Sequence, residues 1–164
     1  MKLKCIIFFF AIFGTGFSQE TVENILKTHN KKLIPYIQVE DFKKNSNYII
    51  LDTREANEYK TSHLSNAINI GYKNFKSSTI KSIVKNKNSP IVVYCSLGIR
   101  SEKIGNKLQK MGYTNVQNLY GGIFEWKNKG NSVVDSTNVV TQNVHTFSKQ
   151  WRVYLKSGVA IYEK

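Results

Sequence analysis

With 164 residues, 41% of them apolar, the chain is long enough to bury one core of ordinary size and too apolar to remain disordered. Its net charge of +13 comes from lysines scattered over every segment, which argues for a solvated surface and against a nucleic-acid partner. Arg54, Arg100 and Arg152 are the only arginines, so each carries more information than any one lysine.

Residues 1–18 read as an export signal. Lys2 and Lys4 form a positive flank, Cys5 to Phe13 an apolar stretch, and Gly16 and Ser18 supply small residues for cleavage after Ser18. That stretch is shorter than the roughly 20 residues a bilayer span requires, so no membrane insertion is expected once it is removed. The expected mature protein is exported, periplasmic or secreted. It keeps a single thiol, Cys95, which rules out an internal disulfide. A lone thiol in an oxidising compartment is either buried and inert or reactive by design.

Residues 19–35 are expected to form a helical extension, with Val22, Ile25, Leu26 and Leu33 at amphipathic spacing within Glu20 to Leu33 and a stop at Pro35. Tyr36 and Ile37 begin a strand, Val39 to Lys44 a short helix with Val39 and Phe42 inward, and Asn45 to Asn47 a turn. Tyr48 to Leu51 reads as a buried strand ending at Asp52, with Thr53 as the N-cap of a helix through Arg54, Glu55 and Glu58. Ala67 to Ile70 is another short strand. From Ser78, the spacing of Ile80, Ile83 and Val84 predicts a helix, and a polar loop then leads into Ile91 to Tyr94. Ser101 opens a helical pattern through Ile104, Leu108 and Met111, stopped by Gly112. Asn115 to Leu119 is a last strand, and Gly121 and Gly122 precede a helix with Ile123 and Trp126. In residues 135–164, an extension expected to dock on the main domain, Phe147, Trp151, Tyr154 and Leu155 share a helical face and Val159 to Tyr162 is strand-like; Ser132 to Asn143 reads as a connector. Strands alternating with helices predict an α/β fold with a parallel sheet covered on both faces. Ligands of such sheets sit beyond the carboxyl ends of strands, where Asp52 and Cys95 fall.

The chemistry concentrates in Ile91 to Ser101. A buried strand ends at Cys95, and the loop Ser96, Leu97, Gly98, Ile99, Arg100 and Ser101 leads into a helix. Amide groups at such a turn stabilise an anion, which lowers a thiol's pKa and makes it a nucleophile. Arg100 is a fork-shaped donor suited to an anionic substrate, or else part of a scaffold ion pair. Asp52 borders the site but opposes ionisation of a nearby thiol, so it is not read as catalytic. His63 invites a cysteine–histidine reading, with structural support preferred. Nothing has metal-ligand spacing.

Three segments together resemble the rhodanese-like sulfurtransferases. Leu51 to Ile70 resembles the family's upstream motif through Asp52, Arg54, Glu58, His63, Ala67 and Asn69; CSLGIRS resembles its active-site loop, and GGIFEW, Gly121 to Trp126, its closing motif. The resemblance covers Tyr36 to Val134, and Ser62 departs from the glycine usual before the histidine. It implies a three-layer α/β/α domain over residues 36–134 whose central sheet, of about five strands, is mostly parallel. It also implies a persulfide on Cys95, no cofactor, a small sulfur donor such as thiosulfate or another persulfide, and a thiol or cyanide as acceptor. A redox protein is a further possible partner, and the alternative function is a persulfide carrier without turnover. Ser96 to Ser101 would cradle the anion, and Arg100 and Asp52 would meet the substrate. Arg54, Glu58, His63 and Trp126 would support the loop, with Arg54 and Glu58 expected as a pair. Phosphatases and arsenate reductases use a related cysteine–arginine loop one residue longer, so the loop length favours sulfur. Leu97 stands where a cation would help hold a dianion, which predicts a poor response to thiosulfate.

Overall fold

The computed structural model describes residues 21–162; the predicted export signal lies outside the described residues. Five strands form the central sheet: β1 (Tyr36–Ile37), β2 (Ile49–Asp52), β3 (Ile68–Asn69), β4 (Ile91–Tyr94) and β5 (Val116–Leu119), in the order β1-β5-β4-β2-β3. Every pairing in it is parallel. The continuous apolar run of β4 explains its central place, because a strand covered on both faces has no side for polar residues. Its side chains alternate: Val92 and Tyr94 enter one core, Ile91 and Val93 the other.

The first core is closed by α1 (Val22–His29), α2 (Val39–Lys43) and α6 (Gly122–Asn128) through Ile25, Phe42, Ile123 and Phe124. The second is closed by α4 (Ser77–Ile83) and α5 (Ile99–Lys110) through Ile80, Ile104 and Leu108. Two helical layers thus enclose a parallel sheet. The remaining helix, α3 (Ala56–Thr61), follows β2 on the edge where the site forms.

Up to residue 130, three boundaries differ by two residues or more from those read off the sequence. The first helix stops at His29 and leaves Leu33 exposed, because the side-chain amide of Asn30 donates to the Tyr36 hydroxyl at 2.6 Å and the Gly98 carbonyl at 3.0 Å. Thr53 does not cap α3: its amide and hydroxyl both donate to the Tyr94 carbonyl, at 2.9 and 3.0 Å, and Glu55 caps the helix in a reciprocal box with Glu58. Helix α5 begins at Ile99, with Gly98 as its N-cap, two residues before the predicted start.

The C-terminal segment is more ordered than a connector. Strands β6 (Val133–Val134) and β7 (Val140–Thr141) make a hairpin, and β8 (Asn143–His145) pairs in parallel with β9 (Val159–Ile161). Between them runs a 3-10 helix, Lys149–Tyr154; Phe147 lies outside it, at φ 65°. Val144 and Tyr154 enter the first core, and the Asn128 side chain donates to the Tyr154 carbonyl at 2.9 Å. These contacts carry the segment across the mouth of the Cys95 loop.

Candidate active site

Cys95 follows β4 directly and is 2% exposed. Its Sγ receives the Gly98 amide at 3.1 Å and lies 3.6 Å from the Ser101 hydroxyl. The turn that aims these groups requires Gly98, whose φ of 113° disfavours any residue with a Cβ. Burial pushes the thiol pKa up; the Arg100 charge, the amide and hydroxyl of Ser101 and the Gly98 amide outweigh it and hold the thiol below its ordinary value. The thiol is therefore buried and more acidic than an ordinary cysteine, the direction a nucleophile requires.

The back of the loop is clamped by α6. The amides of Ile123 and Phe124 donate to the carbonyls of Cys95 and Ser96 at 2.9 and 3.2 Å. Those two carbonyls are thereby engaged by α6. Gly122 makes the approach feasible: a Cβ there would stand 2.2 Å from the Cys95 carbonyl oxygen. The far side of the loop is held by Asn118 on β5. Its amide donates to the Gly98 carbonyl at 2.8 Å while its Oδ1 accepts the Ser101 hydroxyl at 2.7 Å.

Arg100 does not present a free fork. Its two terminal nitrogens donate to the carboxylate of Glu58 at 2.6 and 2.7 Å, and one also reaches the Ser96 hydroxyl at 3.1 Å. The expected pair of Arg54 with Glu58 is replaced by two others. Glu58 holds Arg100, and Arg54, fully buried, holds Asp52 through contacts of 2.6 to 3.1 Å as well as the Ser62 carbonyl at 2.6 Å. Asp52 is thus no substrate ligand in this geometry: it is fully buried and its carboxylate is engaged by Arg54. His63 lies away from the thiol, stacked on Tyr59 at 3.8 Å with Nδ1 on the Tyr59 carbonyl, while its backbone pairs with Val134. Trp126 donates its indole N–H to the Ser132 carbonyl at 2.8 Å and packs edge-on to Phe42.

Above Cys95 opens a pocket of about 290 Å³ whose walls are Glu55, Tyr72, Lys73, Ser96, Leu97, Ile99, Arg100, Phe147 and Trp151.

The rhodanese-like domain model matches residues 37–129. The chain belongs to that family. Among its relatives, thiosulfate sulfurtransferase GlpE of Coxiella burnetii is 28% identical over 96 residues, covering 58% of this chain and 87% of its own length. The tRNA uridine(34) hydroxylase of a Wolbachia of Brugia malayi is 33% identical over 107 residues, which span 64% of this chain and 40% of that protein. The crystal structure of a rhodanese-related protein from Thermoplasma volcanium aligns with a TM-score of 0.55 at 28% identity, covering 62% of this chain and 98% of that one.

Several residues that build this rhodanese-like site were not singled out from the sequence. Asn118 left a usable signal, a polar residue near the carboxyl end of an otherwise buried strand beside the cysteine strand. Asn30 left none, since only the fold carries α1 to the Gly98 carbonyl. Phe147 and Trp151 were legible as an apolar face, but not as walls of the Cys95 pocket.

Proposed function

We propose that this rhodanese-like protein is a sulfurtransferase that carries a sulfane sulfur as a persulfide on Cys95. The observation that carries the reading is the Cys95 Sγ at 3.1 Å from the Gly98 amide, at the N-terminus of a twelve-residue helix, with its thiol pKa lowered. The thiolate attacks the outer sulfur of the donor; a new S–S bond forms, the donor's own bond to that sulfur breaks, and the electron pair leaves with the donor remnant, sulfite in the case of thiosulfate. The product, Cys95–S–S⁻, keeps a negative charge near the same amides, so the cradle that stabilises the thiolate also serves the intermediate. An acceptor such as cyanide or a thiolate then attacks the outer sulfur and returns the Cys95 thiolate. Cys95 is the one cysteine among the described residues, and with Cys5 lost in the expected export signal the persulfide would be resolved by an outside acceptor.

The relative named as a thiosulfate sulfurtransferase supports this class of reaction, since 87% of its length is matched. Intact mass before and after incubation with thiosulfate or a small persulfide tests it. The expected result is one added sulfur on the wild type and none on Cys95→Ser. A wild type that gains no sulfur from any of several donors would overturn the proposal.

A further inference from the structure

We propose that the C-terminal segment makes this site selective for sulfane sulfur carried on an apolar group, aryl or bulky alkyl, over the small dianion thiosulfate. The inference rests on the sulfurtransferase reading above and names its donor class.

Three observations converge. The first is the lining. Tyr72, Leu97, Ile99, Phe147 and Trp151 surround the thiol with aromatic and aliphatic surface, and two of them come from outside the matched residues 37–129. A pocket of about 290 Å³ exceeds what thiosulfate, two sulfurs with three oxygens, fills. The second is charge. Arg100, the cation nearest the thiol, is tied to Glu58 by two short bonds, and the other two charged residues of the lining, Lys73 and Glu55, are of opposite sign, the Glu55 carboxylate receiving the Lys73 backbone amide at 3.1 Å. The walls are close to neutral before the thiolate adds its own charge, so a dianion finds little to attract it. The third is backbone strain. Phe147 is a bulky residue held at φ 65°, a conformation such residues rarely adopt. Its amide is fixed on the His145 Nδ1 at 3.0 Å, and the neighbouring Thr146 amide on the Ile161 carbonyl at 2.7 Å. Pairing of β8 with β9 therefore maintains a strained aromatic at the pocket, with its ring 5.1 Å from the Arg100 guanidinium. Phe147 is 52% exposed, so the fold gains little by burying it. An aromatic left half open beside a nucleophile suits a ligand's apolar group.

Thiosulfonates test the inference, because they vary the carrier while keeping the transferred atom. The Cys95 thiolate bonds to the outer sulfur of benzenethiosulfonate, the bond from that sulfur to the sulfonyl sulfur breaks, and benzenesulfinate leaves with the electron pair; cyanide then removes the sulfur as thiocyanate. No outside oxidant or reductant is required. In the wild type, kcat/KM for benzenethiosulfonate should exceed that for methanethiosulfonate by about tenfold or more, the discrimination an apolar pocket gives for extra carbon. Thiosulfate should trail both. Phe147→Ala and Trp151→Ala should each bring the benzene-to-methane ratio toward one. A wild-type ratio near one, or a ratio unchanged in both variants, overturns the inference. A second measurement separates the pocket from the reaction: benzenesulfonate, which has no sulfur to give, should protect Cys95 from iodoacetamide at lower concentration than methanesulfonate does. Protection without turnover upholds the apolar pocket and removes the sulfur-transfer reading. Turnover with neither preference nor protection removes the pocket and leaves sulfur transfer standing.

Discussion

Glu58 on α3 receives both terminal nitrogens of Arg100 on α5, at 2.6 and 2.7 Å, and so ties the helix after β2 to the helix that carries the Cys95 loop. The Glu58 side chain is 2% exposed and that of Arg100 16%. The pair has a geometric consequence as well as an electrostatic one. Glu58 holds the guanidinium where its charge stabilises the thiolate, and in doing so removes it as a ligand for a free anion.

Breaking this pair from one side should be costly, because the remaining charge is left poorly solvated. Glu58→Gln is expected to lose about 3 kcal/mol of unfolding free energy, the lower end for one-sided loss of a buried partner since Arg100 reaches solvent in part. Arg100→Met added to Glu58→Gln should recover part of that loss, and urea unfolding of the four species should give a coupling of about 1–3 kcal/mol. Strictly additive losses would show that the pair contributes no interaction of its own.

The pair of Asp52 and Arg54 should be harder still to break. Both side chains are fully buried, and Arg54 Nη1 already lacks a hydrogen-bond partner. Asp52→Asn leaves a buried guanidinium without its counter-charge and should cost about 3–5 kcal/mol. Neither residue lines the pocket, so the Asp52→Asn protein that remains folded should still alkylate at Cys95. Measuring thiol reactivity beside urea stability separates the two; lost reactivity at unchanged stability would restore Asp52 to the site.

The sheet was legible because β4 and its neighbours are short, continuous apolar runs separated by helical spacing, a pattern few folds satisfy. The placement of Cys95 at a strand end before a helix was legible because a strand, a cysteine and a glycine-bearing turn are contiguous in the chain. Ion-pair partners were not. Arg54 lies close in sequence to both Asp52 and Glu58, and helical spacing favours Glu58; the choice of Asp52 depends on the chain entering α3 only at Ala56, which swings Glu58 toward Arg100. The pocket walls were hidden for a related reason. Phe147 is 52 residues beyond Cys95 in the numbering and reaches the pocket only because β8 pairs with β9 and sets the strained turn between them.

Gly122 should tolerate no side chain. Its φ is 55°, and a Cβ would meet the carbonyl oxygens of Cys95 and Ser96 at 2.2 and 2.7 Å, both backbone atoms with no rotamer to yield. Gly122→Ala is expected to destabilise by about 3 kcal/mol, summing strain at positive φ and overpacking. Gly130→Ala is the matched control: φ is 77° but a Cβ meets nothing within 4 Å, so only the backbone penalty, about 1 kcal/mol, applies. Thermal or urea unfolding of the two variants checks the difference. Equal losses would show that α6 yields and that the clamp on the Cys95 loop is loose.

Asn118 bears on the charge state of the Cys95 thiol. Asn118 accepts the Ser101 hydroxyl at 2.7 Å, and that hydroxyl lies 3.6 Å from Cys95 Sγ. Asn118→Asp puts a carboxylate one hydroxyl away from the thiolate and removes the amide that holds the Gly98 carbonyl. Like charge disfavours the ionised thiol, so its pKa should move up, where in the wild type Arg100, Ser101 and Gly98 hold it down against burial. The pH profile of iodoacetamide alkylation reads this directly. The wild-type midpoint should lie below the usual thiol value of about 8.5. That of Asn118→Asp should lie above the wild type, with slower alkylation at neutral pH. Asn118→Ala, which loses the hydrogen bonds without adding charge, should fall between them. A thiol whose folded pKa is depressed contributes stability that is fully present above its unfolded pKa and is lost as pH falls through the folded pKa. Raising the folded pKa narrows that window from its acid side, so the stability gap between wild type and Asn118→Asp should widen as pH rises across it. A gap that stays constant through the whole profile would mean that Asn118 holds the loop without influencing the thiolate.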